Sequence, residues 1–105
     1  MQIKRIKFER TGGFAGIRMA AELKPNDMPD EQVHTISELL HDLDFDELPE
    51  KMLGDASMPD QFTYTITVET DKWERTVTTG ETSAPEKMQE LLQVLNRLAR
   101  TQKKQ

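Results

Sequence analysis

The feature that most constrains the fold is a strict two-residue alternation in the second half of the chain. Between residues 62 and 68, apolar side chains alternate with threonines. The apolar residues are Phe62, Tyr64, Ile66 and Val68, and the threonines are Thr63, Thr65 and Thr67. Successive side chains of a strand point to opposite faces of a sheet. The pattern therefore predicts a strand with one buried and one polar face, as in an antiparallel sheet that is covered on one side.

A first hairpin is predicted over residues 1–23. Gly12 and Gly13, between its two strands, supply the positive φ that a tight turn needs. Gly16 falls where the second strand is already expected, and a glycine there marks a bulge or a close approach to the backbone. In the first strand Ile6 and Phe8 share one face, whereas the other face is predicted to carry Ile3, Arg5 and Lys7.

Two stretches have the three- and four-residue apolar spacing of an amphipathic helix. The first covers residues 29–43 and begins at Pro29, and the second covers residues 84–100 after a capping box that starts at Ser83. Their apolar stripes are Val33, Ile36, Leu39, Leu40 and Leu43 in the first, and Met88, Leu91, Leu92, Leu95, Leu98 and Ala99 in the second. Both helices therefore need an apolar surface to pack against.

An acidic connector, residues 44–59, joins the first helix to a second hairpin over residues 60–79. It is longer than most loops, which favours some order or a function of its own. Leu48, Met52 and Leu53 are expected to form a short helical turn that docks on the core.

The element order is ββαββα, which predicts an α+β fold. A four-stranded antiparallel sheet with both amphipathic helices packed on one face would bury every apolar stripe at once. The 105 residues are expected to form one domain, residues 1–105. The order of the strands in the sheet stays open.

Composition limits the classes of function. The chain contains no cysteine, which excludes disulfides and thiolate chemistry. The first residues lack the long apolar run of a signal peptide, and no segment is apolar over a membrane-spanning length. We therefore expect a cytoplasmic protein without a membrane partner, and a monomer when free, because no large apolar stripe is left over.

The net charge of −5 is unevenly distributed, with basic residues concentrated in the first hairpin. A basic hairpin could bind nucleic acid, but these bases alternate with apolar residues and no set of stacking aromatics accompanies them. We interpret them instead as the solvated face of an edge strand, where charge discourages unwanted pairing. No nucleic-acid partner is predicted.

The sequence also offers little to an enzyme. His34, Glu38 and His41 share one face of the first helix, but no fourth ligand is evident and a solvated polar face explains them better than a metal site. The sequence lacks a phosphate-binding loop, a nucleophile elbow and a plausible catalytic triad. These observations favour a binding module that has no catalytic residues, no metal and no cofactor.

Two stretches resemble the emfourin, or protealysin-inhibitor, family. They are residues 2–18, QIKRIKFERTGGFAGIR, and residues 59–68, PDQFTYTITV, which precede a further strand and a leucine-rich C-terminal helix. The resemblance extends over nearly the whole chain. It implies a protein inhibitor of thermolysin-like zinc metallopeptidases such as protealysin, in the cytoplasm of a bacterium.

Chain direction predicts where such an inhibitor would touch the enzyme. If each element crosses the sheet once, the first hairpin turn, the end of the connector and the segment after the fourth strand lie at one edge. The candidate partner-binding residues are Thr11, Gly12, Gly13, Phe14, Ala15, Gly16, Ser57, Met58, Pro59 and Asp60. Phe14 and Met58 could fill the enzyme's pocket for a bulky apolar residue, or could be core residues.

A second hypothesis comes from another class of protein. The threonine-rich sheet face or the acidic connector could serve an adaptor that binds a different partner. Such an adaptor would bind without lowering the activity of any peptidase.

Overall fold

The computed structural model describes residues 2–12, 18–52, 62–80 and 84–101. The strands are β1 (Ile3–Gly12), β2 (Met19–Leu23), β3 (Lys51–Met52), β4 (Phe62–Thr70) and β5 (Glu74–Gly80). The helices are α1 (Asp30–Leu43) and α2 (Glu86–Thr101), and short 3-10 turns cover Pro25–Asp27 and Phe45–Glu47. No helix in these ranges is long and apolar enough to cross a membrane.

The five strands form one mixed sheet in the order β2-β1-β4-β5-β3. The α+β class with two helices is confirmed, but the prediction of a four-stranded antiparallel sheet is wrong. The additional strand, β3, lies parallel to β5, with Lys51 beside Thr78 and Met52 beside Thr79. A two-residue strand has no alternation that a sequence pattern could reveal, and it arises inside the connector where a helical turn was expected.

The core lies between one face of the sheet and the two helices. Aligned positions of the central strands share that face, as shown by the pairs Ile6–Val68, Phe8–Ile66 and Ile66–Val77. They form one buried cluster with residues of both helices, namely Ile36, Leu39 and Leu40 of α1 and Met88, Leu91, Leu92, Val94 and Leu95 of α2. The threonines of β4 and β5 on the other face are partly or fully exposed. β4 therefore buries the side that its alternation predicts.

Three expectations about β1 are corrected by the sheet. β1 pairs with both β2 and β4, so it is an internal strand and not an edge strand. The register shifts between Ile3 and Arg5, and this β-bulge turns Ile3 into the core, where it is 4% exposed. Arg10 shares the face of Phe8 and is half-buried, so it does not belong to a solvated basic face.

The first hairpin is wider than the adjacent glycines indicate. A two-residue turn at Gly12 and Gly13 would pair Arg10 with Ala15, but Arg10 pairs with Met19. β1 continues instead along β4 as far as the pair Gly12–Phe62. The register of β1 with β2 therefore does not fit a two-residue turn at the predicted position.

The described part of the connector is attached to the edge of the sheet. Asp44 ends α1 in the left-handed conformation, with φ 51°, and Phe45 stacks on Trp73 with ring centroids 6.1 Å apart. The Arg75 guanidinium donates to the Leu48 carbonyl, and the Thr78 N–H donates to the Glu50 carbonyl at 2.7 Å. Leu48 and Met52 pack against the core as partly buried residues, and Leu53 lies outside the described residues.

Candidate partner-binding site

Several strand ends lie side by side at one end of the sheet. Gly12 pairs with Phe62, Thr63 pairs with Gly80, and Met52 lies beside Thr79. These residues border three segments that lie outside the described residues, 13–17, 53–61 and 81–83. All three segments therefore start or finish at the same end of the sheet, which we call the loop end.

The structure describes two of the ten predicted site residues. Thr11 and Gly12 form the last two pairs of β1 with β4, opposite Thr63 and Phe62. The other eight lie outside the described residues, and they are Gly13, Phe14, Ala15, Gly16, Ser57, Met58, Pro59 and Asp60. Asp60 is two residues before Phe62, and Gly13 directly follows Gly12, so both are covalently tied to the loop end.

Gly12 has a backbone that requires glycine. Its φ is 99°, beyond the left-handed region that residues with a Cβ tolerate. Gly12 is paired with Phe62 across the sheet. Because glycine has no side chain, the position directly opposite Phe62 presents none to its ring. The need for a glycine here was predicted, but its reason is the geometry at the end of β1 and not a two-residue turn.

A contact that connects three elements lies beneath the loop end, on the covered face. The guanidinium carbon of Arg10 lies 4.6 Å from the ring centroid of Phe62. Arg10 Nη1 also donates a hydrogen bond to Asn96 Oδ1 at 3.2 Å. Asn96 belongs to α2, and its Nδ2 donates to the Leu92 carbonyl at 3.0 Å. The side chain of Arg10 therefore links β1 to the start of β4 and to α2.

An ion pair lies on the opposite face of β1, next to the same end. Arg18 Nε donates to Glu9 Oε2 at 2.7 Å, and Arg18 Nη2 contacts the same oxygen. Arg18 is the first described residue after segment 13–17, and its side chain is 70% exposed. Exposed ion pairs contribute little to stability. The pair of Arg18 with Glu9 therefore holds the start of β2 near β1 only weakly.

Arg10, Phe62 and Asn96 were not among the predicted site residues. A signal for Arg10 was present, because it has the same parity along β1 as the buried Ile6 and Phe8. The interpretation of the hairpin's basic residues as one solvated face does not account for this parity. The contact with Asn96 joins residues far apart in the sequence, and no local pattern indicates it.

The face of α1 that carries both histidines is exposed. His34 Nε2 lies 3.1 Å from Glu38 Oε2, and both side chains are more than half exposed. Among the described residues, no group of three or more histidines, cysteines or acidic residues is arranged to hold a metal ion.

Comparison with known proteins adds the family. The family model described as Emfourin matches residues 8–96. This range includes most of α2 and all of the strands apart from the start of β1. No curated protein and no solved structure matched the chain. Since the match extends over far more than half of its length, the chain belongs to the Emfourin family.

Proposed function

We propose that this chain is a protein inhibitor of a thermolysin-like, protealysin-type zinc metallopeptidase. The observation that carries the proposal is the Emfourin match over residues 8–96. The resemblance of residues 2–18 and 59–68 to the inhibitors of this family points to the same class of target. The proposed setting is the bacterial cytoplasm, with one inhibitor chain acting as a monomer.

The loop end is the proposed contact surface. Segments 13–17, 53–61 and 81–83 are attached there to paired strands, and a rigid sheet is a suitable support for binding loops. Loops held by such a support lose little entropy on docking, which favours tight binding. The inhibitor would occlude the cleft sterically and contribute no metal of its own.

Two apolar residues are proposed to fill the pocket of the enzyme. Thermolysin-like enzymes favour a bulky apolar residue directly after the cleaved bond, and Phe14 and Met58 are bulky apolar residues of segments 13–17 and 53–61. Gly12, Gly13 and Gly16 would let the backbone lie close to the walls of the cleft. Thr11, Ala15, Ser57, Pro59 and Asp60 complete the proposed surface.

The test is a titration of a thermolysin- or protealysin-type peptidase with the purified chain. We expect residual activity to fall linearly to near zero at one equivalent, while mass spectrometry shows an intact inhibitor. A serine peptidase assayed with the same substrate serves as a control and should keep its activity. If several thermolysin-like enzymes keep full activity, the inhibitor proposal is wrong, and the adaptor hypothesis takes its place.

A further inference from the structure

We infer that Arg10 is a positioning residue for inhibition, which holds the start of β4 against β1 and α2 and so fixes the loop end. The inference rests on the proposed function. Arg10, Phe62 and Asn96 are not among the predicted partner-binding residues, and their role is indirect, through the loops that they support.

The Arg10 cation has an unusual position in the sheet. Arg10 lies on the covered face of the sheet, in the row Met19–Arg10–Tyr64–Thr79, where its neighbours on β1 at the same parity are the core residues Ile6 and Phe8. Partial burial of a charged group is unfavourable unless the group gains compensating contacts. An apolar side chain would avoid that cost, so the guanidinium is explained by the contacts that it makes.

Arg10 combines a contact with an aromatic ring and a hydrogen bond. Tyr64 is directly opposite Arg10, and Phe62 is its diagonal neighbour at the start of β4. A planar guanidinium can lie over an aromatic ring and donate hydrogen bonds in its own plane at the same time. Arg10 does both, over Phe62 at 4.6 Å and to Asn96 at 3.2 Å. These interactions define the position of the Phe62 ring relative to α2.

The contact of Arg10 with Phe62 lies next to two of the proposed binding segments. Phe62 is the first described residue after segment 53–61, and Gly12, two residues beyond Arg10, is the last before segment 13–17. One side chain therefore stabilises the attachment points of two segments that are proposed to enter the enzyme together. Loss of the contact should lower affinity by removing preorganisation, even though Arg10 need not touch the enzyme.

Arg5 provides a matched control on the same strand. It is also half-buried, and its guanidinium contacts Glu69 at 2.9 Å and Glu22 at 3.4 Å. It lies on the uncovered face towards the opposite end of β1. Arg5→Met therefore removes a comparable set of polar contacts without altering the loop end.

The experiment compares the inhibition constants and thermal melts of wild type, Arg10→Met and Arg5→Met against one thermolysin-like peptidase. We expect Arg10→Met to weaken inhibition about tenfold and Arg5→Met to stay within about twofold of wild type. Arg10→Lys, which keeps a cation over the ring, should recover part of the loss. Amide exchange near Phe62 should accelerate in Arg10→Met and not in Arg5→Met.

A double-mutant cycle tests the pathway through Phe62. Arg10→Met and Phe62→Leu should weaken inhibition by less together than the product of their separate effects, because they break the same contact. Independent effects, or equal losses in Arg10→Met and Arg5→Met, would overturn the positioning role while wild type still inhibits. If wild type inhibits no such peptidase, the proposed function itself fails, and this inference fails with it. If Arg10→Met does not fold, Asn96→Ala takes its place. This variant leaves the cation in place but removes its hydrogen bond to α2, and it should also weaken inhibition.

Discussion

Thr79 and Met52 lie side by side as the last pair of β5 and β3, and they are joined by more than the ladder. Thr79 Oγ1 lies 3.4 Å from the Met52 carbonyl and 3.3 Å from the carbonyl of Gly80. Thr79 is fully buried, so its hydroxyl has to be satisfied within the protein. This contact places Met52, which directly precedes segment 53–61, at the loop end. Phe62, which directly follows the segment, lies at the same end.

Thr79→Val should therefore destabilise β3. Valine keeps the shape of the side chain but removes the donor, which should lower the free energy of unfolding by about 1 kcal/mol. Urea denaturation measures this change, and faster amide exchange at Lys51 and Met52 would locate it. Thr65→Val is the control, because Thr65 lies on the uncovered face and its hydroxyl is 3.4 Å from that of Thr78. Equal losses in both variants would contradict a special role for Thr79.

Most of the fold follows from local patterns. The alternation at residues 62–68 and the stripes of both helices are explained by burial of one face, which is a property that a short stretch of sequence records. β3 could not be found in this way, because it is only two residues long and depends on β5, which is distant in sequence. The burial of Ile3 depends on a bulge, which changes parity without a signal in the sequence.

The candidate site was only partly predictable. Chain direction alone predicts that the end of β1, the start of β4 and the end of β5 meet. The pairs Gly12–Phe62 and Thr63–Gly80 agree with this prediction. The contact of Arg10 with Asn96 connects β1 to the last helix, and such a contact depends on how α2 packs. The roles of Phe14 and Met58 remain predictions, because both lie outside the described residues.

Gly12→Ala should be costly at the end of β1. The φ of 99° places a Cβ in a sterically forbidden region, so we expect a loss of about 1–2 kcal/mol or a local rearrangement. Thermal melts measure the loss, and a changed inhibition constant would show that the rearrangement reaches the loop end. Thr11→Ala, at a neighbouring position where no positive φ occurs, should have a smaller effect. A Gly12→Ala variant as stable as wild type would refute the requirement for glycine.

Phe45→Ala should weaken the attachment of the connector to the core. Phe45 is fully buried and stacks on Trp73, so its truncation should cost about 3–5 kcal/mol. Trp73 is the only tryptophan, and its fluorescence reports the transition directly. Phe45→Leu keeps most of the volume and should cost less than about 1.5 kcal/mol. Similar costs for both variants would show that the cavity at this position can collapse.

Asp71 should make a contribution to stability that depends on pH. A hydrogen bond from the Gln2 backbone N–H, 2.8 Å from Asp71 Oδ1, holds the pKa of this carboxyl below its ordinary value. A carboxyl whose pKa is lower in the folded state stabilises the protein above its unfolded pKa, and the benefit disappears as pH falls through the folded pKa. The difference in melting temperature between wild type and Asp71→Asn should therefore narrow below about pH 4. A difference that does not vary with pH would exclude the carboxylate as its source.

Two measurements on one variant should show whether Phe14 fills the pocket of the peptidase or belongs to the core. If it fills the pocket of the peptidase, Phe14→Ala should weaken inhibition by at least about tenfold, since loss of a buried aromatic side chain at an interface typically costs more than 1 kcal/mol. The melting temperature should stay within about 2 °C of wild type, because a residue bound to the enzyme contributes little to the free inhibitor. A core phenylalanine would behave in the opposite way, losing about 3–5 kcal/mol of stability on truncation. Met58→Ala, measured in parallel, identifies which of the two residues occupies the pocket, because only that one should show a large change in inhibition with an unchanged melt.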